Sequence, residues 1–357
     1  AQFVSSPLDG KVDRIRDRTW LQIIATPKEK LGDRWHNRAH GDQWVEVSHE
    51  VFARSFLTQA KLEPTRFAKL SLLFPKECNA QYHCSVLAGM AECAREKIPD
   101  LELMSEVIRR SASVGGRNVL WEIERLIETR AEQDWPEDIL ELLKTLALSY
   151  VESMEEDGFE GLFSPLREKT EPLTLDTLRN GSINSIRGYA LYTIAELLKM
   201  HGELRPFFRE TVRRASEDDC AAVWFMTPIC VVRYAEEEPA FAASVFRLLV
   251  QRDVRALGAI GGEALLWEFY PQDPAFCRRQ LLCACGFRSS DLAPQAAGLL
   301  CAAALFWKDE TALSELLTGD FTKAQQDAIC RQAVKAFSGE DTRERSKIIL
   351  LHFMDRF

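Results

Sequence analysis

Asn180-Gly-Ser-Ile-Asn-Ser-Ile-Arg-Gly-Tyr-Ala-Leu-Tyr-Thr-Ile-Ala-Glu-Leu-Leu198 runs into Lys-Met-His-Gly202, and a second apolar-periodic run follows over residues 204–215. In the first run Ile183, Ile186, Ala190, Leu191, Ile194, Leu197 and Leu198 recur at spacings of three, four and seven, which is one face of an amphipathic helix. Gly202 is placed to stop that helix. Ser216-Glu-Asp-Asp219 then separates a third run that opens at Cys220, with Ser216 or Asp218 as its expected cap. Helix, short turn, helix, acidic cap and helix again is the unit of an α-solenoid, in which a hairpin that cannot bury its own apolar face is completed by its neighbours.

Working outward, the same rhythm predicts helices over residues 82–95, 101–113, 119–131 and 137–153 on one side. On the other side it predicts them over 221–234, 239–251, 257–270, 274–286, 291–306, 310–317, 323–337 and 343–357. Each pair occupies about 35 to 45 residues, the range of HEAT-like and armadillo-like units. Residues 11–24, 44–62 and 65–73 read as earlier helices, and the polar stretch 26–43 between the first two reads as a loop. No segment alternates with a period of two, so the expected class is all-α, an α-solenoid of stacked antiparallel helical hairpins with essentially no sheet. Four parts are expected: an N-terminal helical segment (1–75), a first repeat half (76–154), a seam (155–178) and a second repeat half (179–357). The seam has no sustained period and carries Glu155, Glu156, Asp157 and Phe159 beside two prolines.

Composition narrows the function classes. Hydrophobic residues make up 46% of 357, with 20 Phe and 8 Trp, which is ample for a core. The net charge of -9 disfavours non-specific nucleic-acid binding, which calls for a basic surplus or stripe. Ten cysteines without a CxxC pair read as reduced packing residues of a cytoplasmic protein. No apolar run reaches the roughly 18 residues that span a bilayer, so no membrane contact is expected. The chain opens on Ala1-Gln-Phe without an initiator Met, as an excised piece of something longer does.

Chemical motifs are sparse. His36 and His40 are four apart but lie among Asp33, Asn37 and Gly41, so a loop is expected and no metal is assigned. Cys283-Ala-Cys285 places two thiols on opposite sides of a helix, poor geometry for chelation. Gly115-Gly116-Arg117 and Gly258-Ala-Ile-Gly261-Gly262 lack the Gly-Lys-Ser/Thr of a phosphate loop, and close helix packing is the expected reason for them. No cofactor and no catalytic residue is assigned. Arg187, with Asn184, stands out at a helix start amid apolar positions. It reads either as a tie between neighbouring repeats or as a partner-facing cation. The clusters Glu155-Glu-Asp157, Glu217-Asp-Asp219 and Glu236-Glu-Glu238 read as caps and solvated turns, with a basic partner as the alternative.

Asn184-Ser-Ile-Arg187-Gly188-Tyr-Ala190 and the later Asp218-Asp-Cys-Ala-Ala-Val223-Trp224, together with the early Arg16-Asp17-Arg18-Thr19-Trp20-Leu21, resemble the C-terminal HEAT-like solenoids of bacterial STAND-type NTPases, the antiviral ATPases of the Avs type. The resemblance implies a sensor region that recognises a foreign, phage-derived protein, with the ATPase and effector on a separate N-terminal part. No catalytic residue carries over. The leading expectation is therefore a protein-binding scaffold or sensor, with a protein partner met near Arg187, Asn184, Glu155, Glu156, Asp157 and Phe159. The rivals are a HEAT-like DNA-base glycosylase, which needs a positive groove lined with aromatics, and a small-molecule pocket between helices near Trp224 and Trp267.

Overall fold

A computed structural model describes residues 12–27, 35–36, 45–46, 48–151, 174–287 and 291–354. The chain divides into two compact units, Ala1–Leu146 and Ala147–Phe357. The division falls ahead of the expected seam, most of which (155–173) lies outside the described residues, with Glu155, Glu156, Asp157 and Phe159 in it.

The first unit contains α1 (Asp17–Ile24), α2 (His49–Leu62), α3 (Pro64–Ser71), α4 (Ala80–Glu92), α5 (Leu101–Ala112) and α6 (Arg117–Thr129), and α7 (Glu137–Ser149) starts in it. Helices α2, α4 and α6 pack in one row and α3 and α5 in a second. Each helix thus meets its next-but-one neighbour, the packing of a two-layer helical repeat. Its core is centred on Phe56, whose ring meets Trp20 at 5.0 Å, Phe67 at 4.6 Å and Tyr82 at 5.9 Å, all edge-on. Such contacts add about 0.5–1.5 kcal/mol each beyond the area they bury. One correction arises here. Helix α2 begins at His49, capped by Ser48, because Val45–Glu46 instead pairs antiparallel with Trp35–His36. That two-residue pair is the sole sheet among the described residues.

The second unit continues with α8 (Leu175–Ile183), α9 (Ile186–Met200), α10 (Arg205–Glu217), α11 (Ala221–Val232), α12 (Pro239–Arg252), α13 (Gly262–Phe269), α14 (Pro274–Cys285), α15 (Leu292–Phe306), α16 (Glu310–Thr318), α17 (Lys323–Ala336) and α18 (Arg343–Met354). Here α9, α11 and α13 form one row with α10 and α12 behind, and α15 packs on α17 with α16 on α18. The fold is all-α and of solenoid type, as the periodicity predicts.

The run from Asn180 is two helices rather than one. Ser185 caps α9 by accepting a 2.9 Å bond from the Gly188 amide, and the chain turns sharply between Ile183 and Ile186. A Cβ on Gly188 would lie 2.0 Å from the Ser182 carbonyl oxygen, so only glycine permits the turn. Thr174 caps α8, which makes the last residues of the expected 155–178 seam helical. Neither Ser216 nor Asp218 is the cap of α11: Cys220 holds that position, and Asp218 accepts from the Cys220 amide.

A repeat invisible in residue identity appears in the hydrogen bonds. Arg130 donates to the carbonyls of Met90 and Ala91, 40 and 39 residues earlier, which end α4. Arg187 does so to Ala147 and Leu148, Arg233 to Ala195, Gln325 to Cys285 and Arg345 to Ala304, at separations of 38 to 41 residues. All but the Arg233 tie reach carbonyls in the last turn of a helix, which lack partners within it and where a cation is also favoured. A second tie runs forward to an acid: Arg109 to Asp138, Arg187 to Asp218, Arg209 to Glu238 and Arg278 to Asp309, 29 or 31 residues on.

Candidate functional site

Those ties account for Arg187, Asp218 and Glu238 among the charged residues singled out from the sequence. The Arg187 guanidinium is largely buried and held by Ala147, Leu148 and Asp218. Asn184 sits exposed at the end of α8, its amide donating to Asn180 at 2.8 Å. In the clusters, Glu217 pairs with Arg213, Asp219 with Arg252, Glu237 with Arg205 and Glu238 with Arg209, so they bind arginines rather than only cap helices.

The remaining candidates separate cleanly. All ten cysteines are free thiols, and burial pushes Cys84, Cys230, Cys277, Cys285 and Cys301 up to about 12, which holds them protonated and unreactive. His36 lies in the short strand pair, and His40 is outside the described residues. Gly258 and Gly262 do sit in tight contact, against Leu175 and Ala256. Gly115 and Gly116 do not: nothing stands within 4 Å of their Cβ positions, and their φ of 73° and 87° makes them turn glycines. Trp224 is fully buried, whereas Trp267 reaches the surface, so the two do not share the cavities described below.

Two concavities merit comparison. In the first unit a cleft of about 480 Å³ is lined by Ile24, Thr26, His49, Cys78 and Asn79. Its polar floor is already committed, since His49 meets the Tyr82 hydroxyl at 2.9 Å and the Thr26 carbonyl at 3.0 Å. The second unit carries a wider, open trough of about 630 Å³ along α15 and α17, bordered by Glu263 of α13. Helices α15 and α17 approach closely at Gly298 and Ala328, where a Cβ on the glycine would rest 3.8 Å from the Ala328 carbonyl oxygen. Pro294 and Ala324 keep the floor low one turn earlier, and Asp291, Asp327, Arg331 and Lys335 stand along the walls.

Beside the trough lies a cluster of rings, of which Phe306 is exposed and Trp267 and Trp307 are partly exposed. Glu263 accepts from Gln295 at 3.5 Å and from the Trp267 indole at 3.4 Å, which joins the trough to an aromatic shelf. Trp267 packs on Trp307 at 4.2 Å and on Phe306 at 5.9 Å, and Trp307 stacks on Tyr270 at 4.3 Å. Phe306 remains 49% exposed at the end of α15 and Val334 61% exposed on α17. Aromatic side chains that keep partial exposure beside charged groups are typical of a protein interface rather than of a folded core.

This face was not singled out in the sequence. The available signal was the helical spacing of Pro294 with Gly298 and of Ala324 with Ala328, facing Trp267 and Phe306 across adjacent repeats. No helix among the described residues is long and apolar enough to cross a membrane. The chain matches no protein-family model, no curated protein and no solved structure.

Proposed function

We propose that the chain is a protein-binding α-solenoid, a scaffold or sensor region, that grips its partner on the face formed by α13, α15 and α17. The observation that carries this reading is the shelf of Trp267 and Phe306 set beside an open trough in which Asp291, Asp327, Arg331 and Lys335 have no ionic partner among the described residues. A repeat array offers such a surface without moving parts, since each helix pair is already fixed by its neighbours. The trough bears Glu263, Asp291 and Asp327 as well as Arg331 and Lys335, a mixture that suits a protein and opposes the uniformly basic groove of a base-excising enzyme. A foreign protein is the partner class implied by the likeness to antiviral sensor solenoids.

The test is comparative capture from bacterial cells, with and without phage infection. Wild type and a Trp267→Ala/Phe306→Ala variant serve as baits, and bound proteins are identified by mass spectrometry. Proteins retained by wild type and lost from the folded variant support the reading. Identical recovery by both baits, or recovery of nucleic acid alone, overturns it.

A further inference from the structure

The trough on α15 and α17 has a floor, two walls and an ordered set of charges, and together these specify what fits it. We propose that its occupant is an amphipathic α-helix from a partner protein, with cationic side chains passing Asp291 and Asp327 and anionic side chains passing Arg331 and Lys335. This deepens the protein-binding reading above and rests on it.

The floor comes first. Pro294 and Gly298 on α15 face Ala324 and Ala328 on α17, so the two helices leave a low strip between their flanking ridges. A row of small residues at helical spacing accepts the ridge of a third helix, as ridges fill grooves in helix packing. From Ala324 to Lys335 the strip runs about 16 Å at about 1.5 Å per residue, three turns of a docked helix.

The backbone requirement decides between helix and extended chain. The walls are side chains of helices whose interior amides and carbonyls are bonded within the helix. An extended segment lying there would find no ladder partners for its own backbone, and unmet buried groups are costly. A helix satisfies its backbone internally and presents only side chains.

Charge then sets the sequence of the occupant. Asp327 and Arg331 lie one turn apart on α17, the spacing at which an acid and a base commonly pair, yet they make no ion pair with each other. Asp291 and Lys335 have no ionic partner among the described residues either. This contrasts with the junctions between repeats, where Arg187, Arg209 and Arg278 each close on an acid. Asp291 precedes α15 and Asp327 lies in the second turn of α17, while Arg331 and Lys335 follow in the C-terminal half of α17, so charge along the trough passes from acid to base. A helix with its own charges segregated into opposite halves matches it in one orientation. A helix with the same charges interleaved meets like charge in either orientation.

The experiment uses the full chain and two fluorescent synthetic helical peptides of three to four turns. They share one composition of Ala, Leu, Lys and Glu, with the charges segregated in one and interleaved in the other. Fluorescence polarisation at low salt is expected to show at least ten-fold tighter binding of the segregated peptide. The Arg331→Glu/Lys335→Glu pair is expected to abolish that preference. Gly298→Leu, which fills the strip while leaving ordinary contact at its Cβ, is expected to remove binding of both, with folding verified by helical circular dichroism. Equal affinity for the two peptides, no binding of either, or an unchanged preference in the charge-reversed pair overturns the proposal. If that happens while capture still depends on Trp267 and Phe306, protein binding stands and only the helical occupant is lost.

Discussion

Arg187 on α9 is paired with Asp218, the residue that closes α10, 31 positions further along the chain. The side chains keep only 14% and 20% of their exposure, and the same guanidinium also caps the carbonyls of Ala147 and Leu148. Removing one partner of a mostly buried pair strands the other and frees helix-end carbonyls. Arg187→Ala is expected to cost about 3 kcal/mol or more in urea denaturation, and Arg187→Lys to recover only part of that, since a lysine lacks the fork. A loss below about 0.5 kcal/mol for the alanine variant would mean that the tie is ornamental.

Next to it, Gly188 makes a sharper prediction. A methyl group there would sit 2.0 Å from the Ser182 carbonyl oxygen and 2.7 Å from the Ser185 hydroxyl that caps the helix. Gly188→Ala must therefore reopen the junction of α8 and α9, at a cost of about 2–4 kcal/mol. Gly298→Ala, in the interior of α15 with ordinary contacts at 3.8 Å, is expected to stabilise by about 0.5–1 kcal/mol. Melting curves of the two variants should move in opposite directions.

His83 gives the first unit a pH dependence. Burial, followed by the nearby Arg110 charge, lowers its imidazole from 6.5 to about 4. Its Nδ1 meets the Ser111 hydroxyl at 3.0 Å, and its Nε2 has no hydrogen-bond partner among the described residues. The folded pKa lies below the unfolded one, so the unfolded chain binds the proton first as pH falls. The stabilisation is complete above about pH 6.5 and is lost progressively down to about pH 4, amounting to about 3 kcal/mol. His83→Gln should flatten the slope of unfolding free energy against pH over that window. An unchanged slope would assign the acid sensitivity to other groups.

Much of this architecture could be read in advance because solenoids are built from local signals. Apolar spacing placed α4, α5, α11 and α15 within a few residues of where they lie, since each buries a stripe set by its own sequence. What escaped notice depends on distant residues. The break at Asn184-Ser185 is hidden because Ile183 and Ile186 continue the apolar stripe across it, and the turn shows only in the close approach of the Ser182 carbonyl to Gly188. The Arg ties span 29 to 41 residues, so no window of one helix contains both ends. The trough was missed for the same reason: Gly298 and Ala328 are unremarkable alone and become a floor only when α15 and α17 are brought together.

The exposed shelf leads to a last prediction, on which of the chain's tryptophans serve folding. Trp224 on α11 is fully buried among Phe225 and its neighbours, and truncating it leaves a large cavity. Trp224→Ala is expected to cost about 3–5 kcal/mol. Trp267 rests on Trp307 and Phe306 and keeps partial exposure, so its loss is expected to forfeit chiefly ring contacts worth about 0.5–1.5 kcal/mol each. A large ring kept at the surface for so little stability is consistent with contact to a partner. Side-by-side denaturation of Trp224→Ala and Trp267→Ala measures the difference. Equal destabilisation would make the Trp267 shelf part of the core, and the face formed by α13, α15 and α17 would lose its claim as a binding surface.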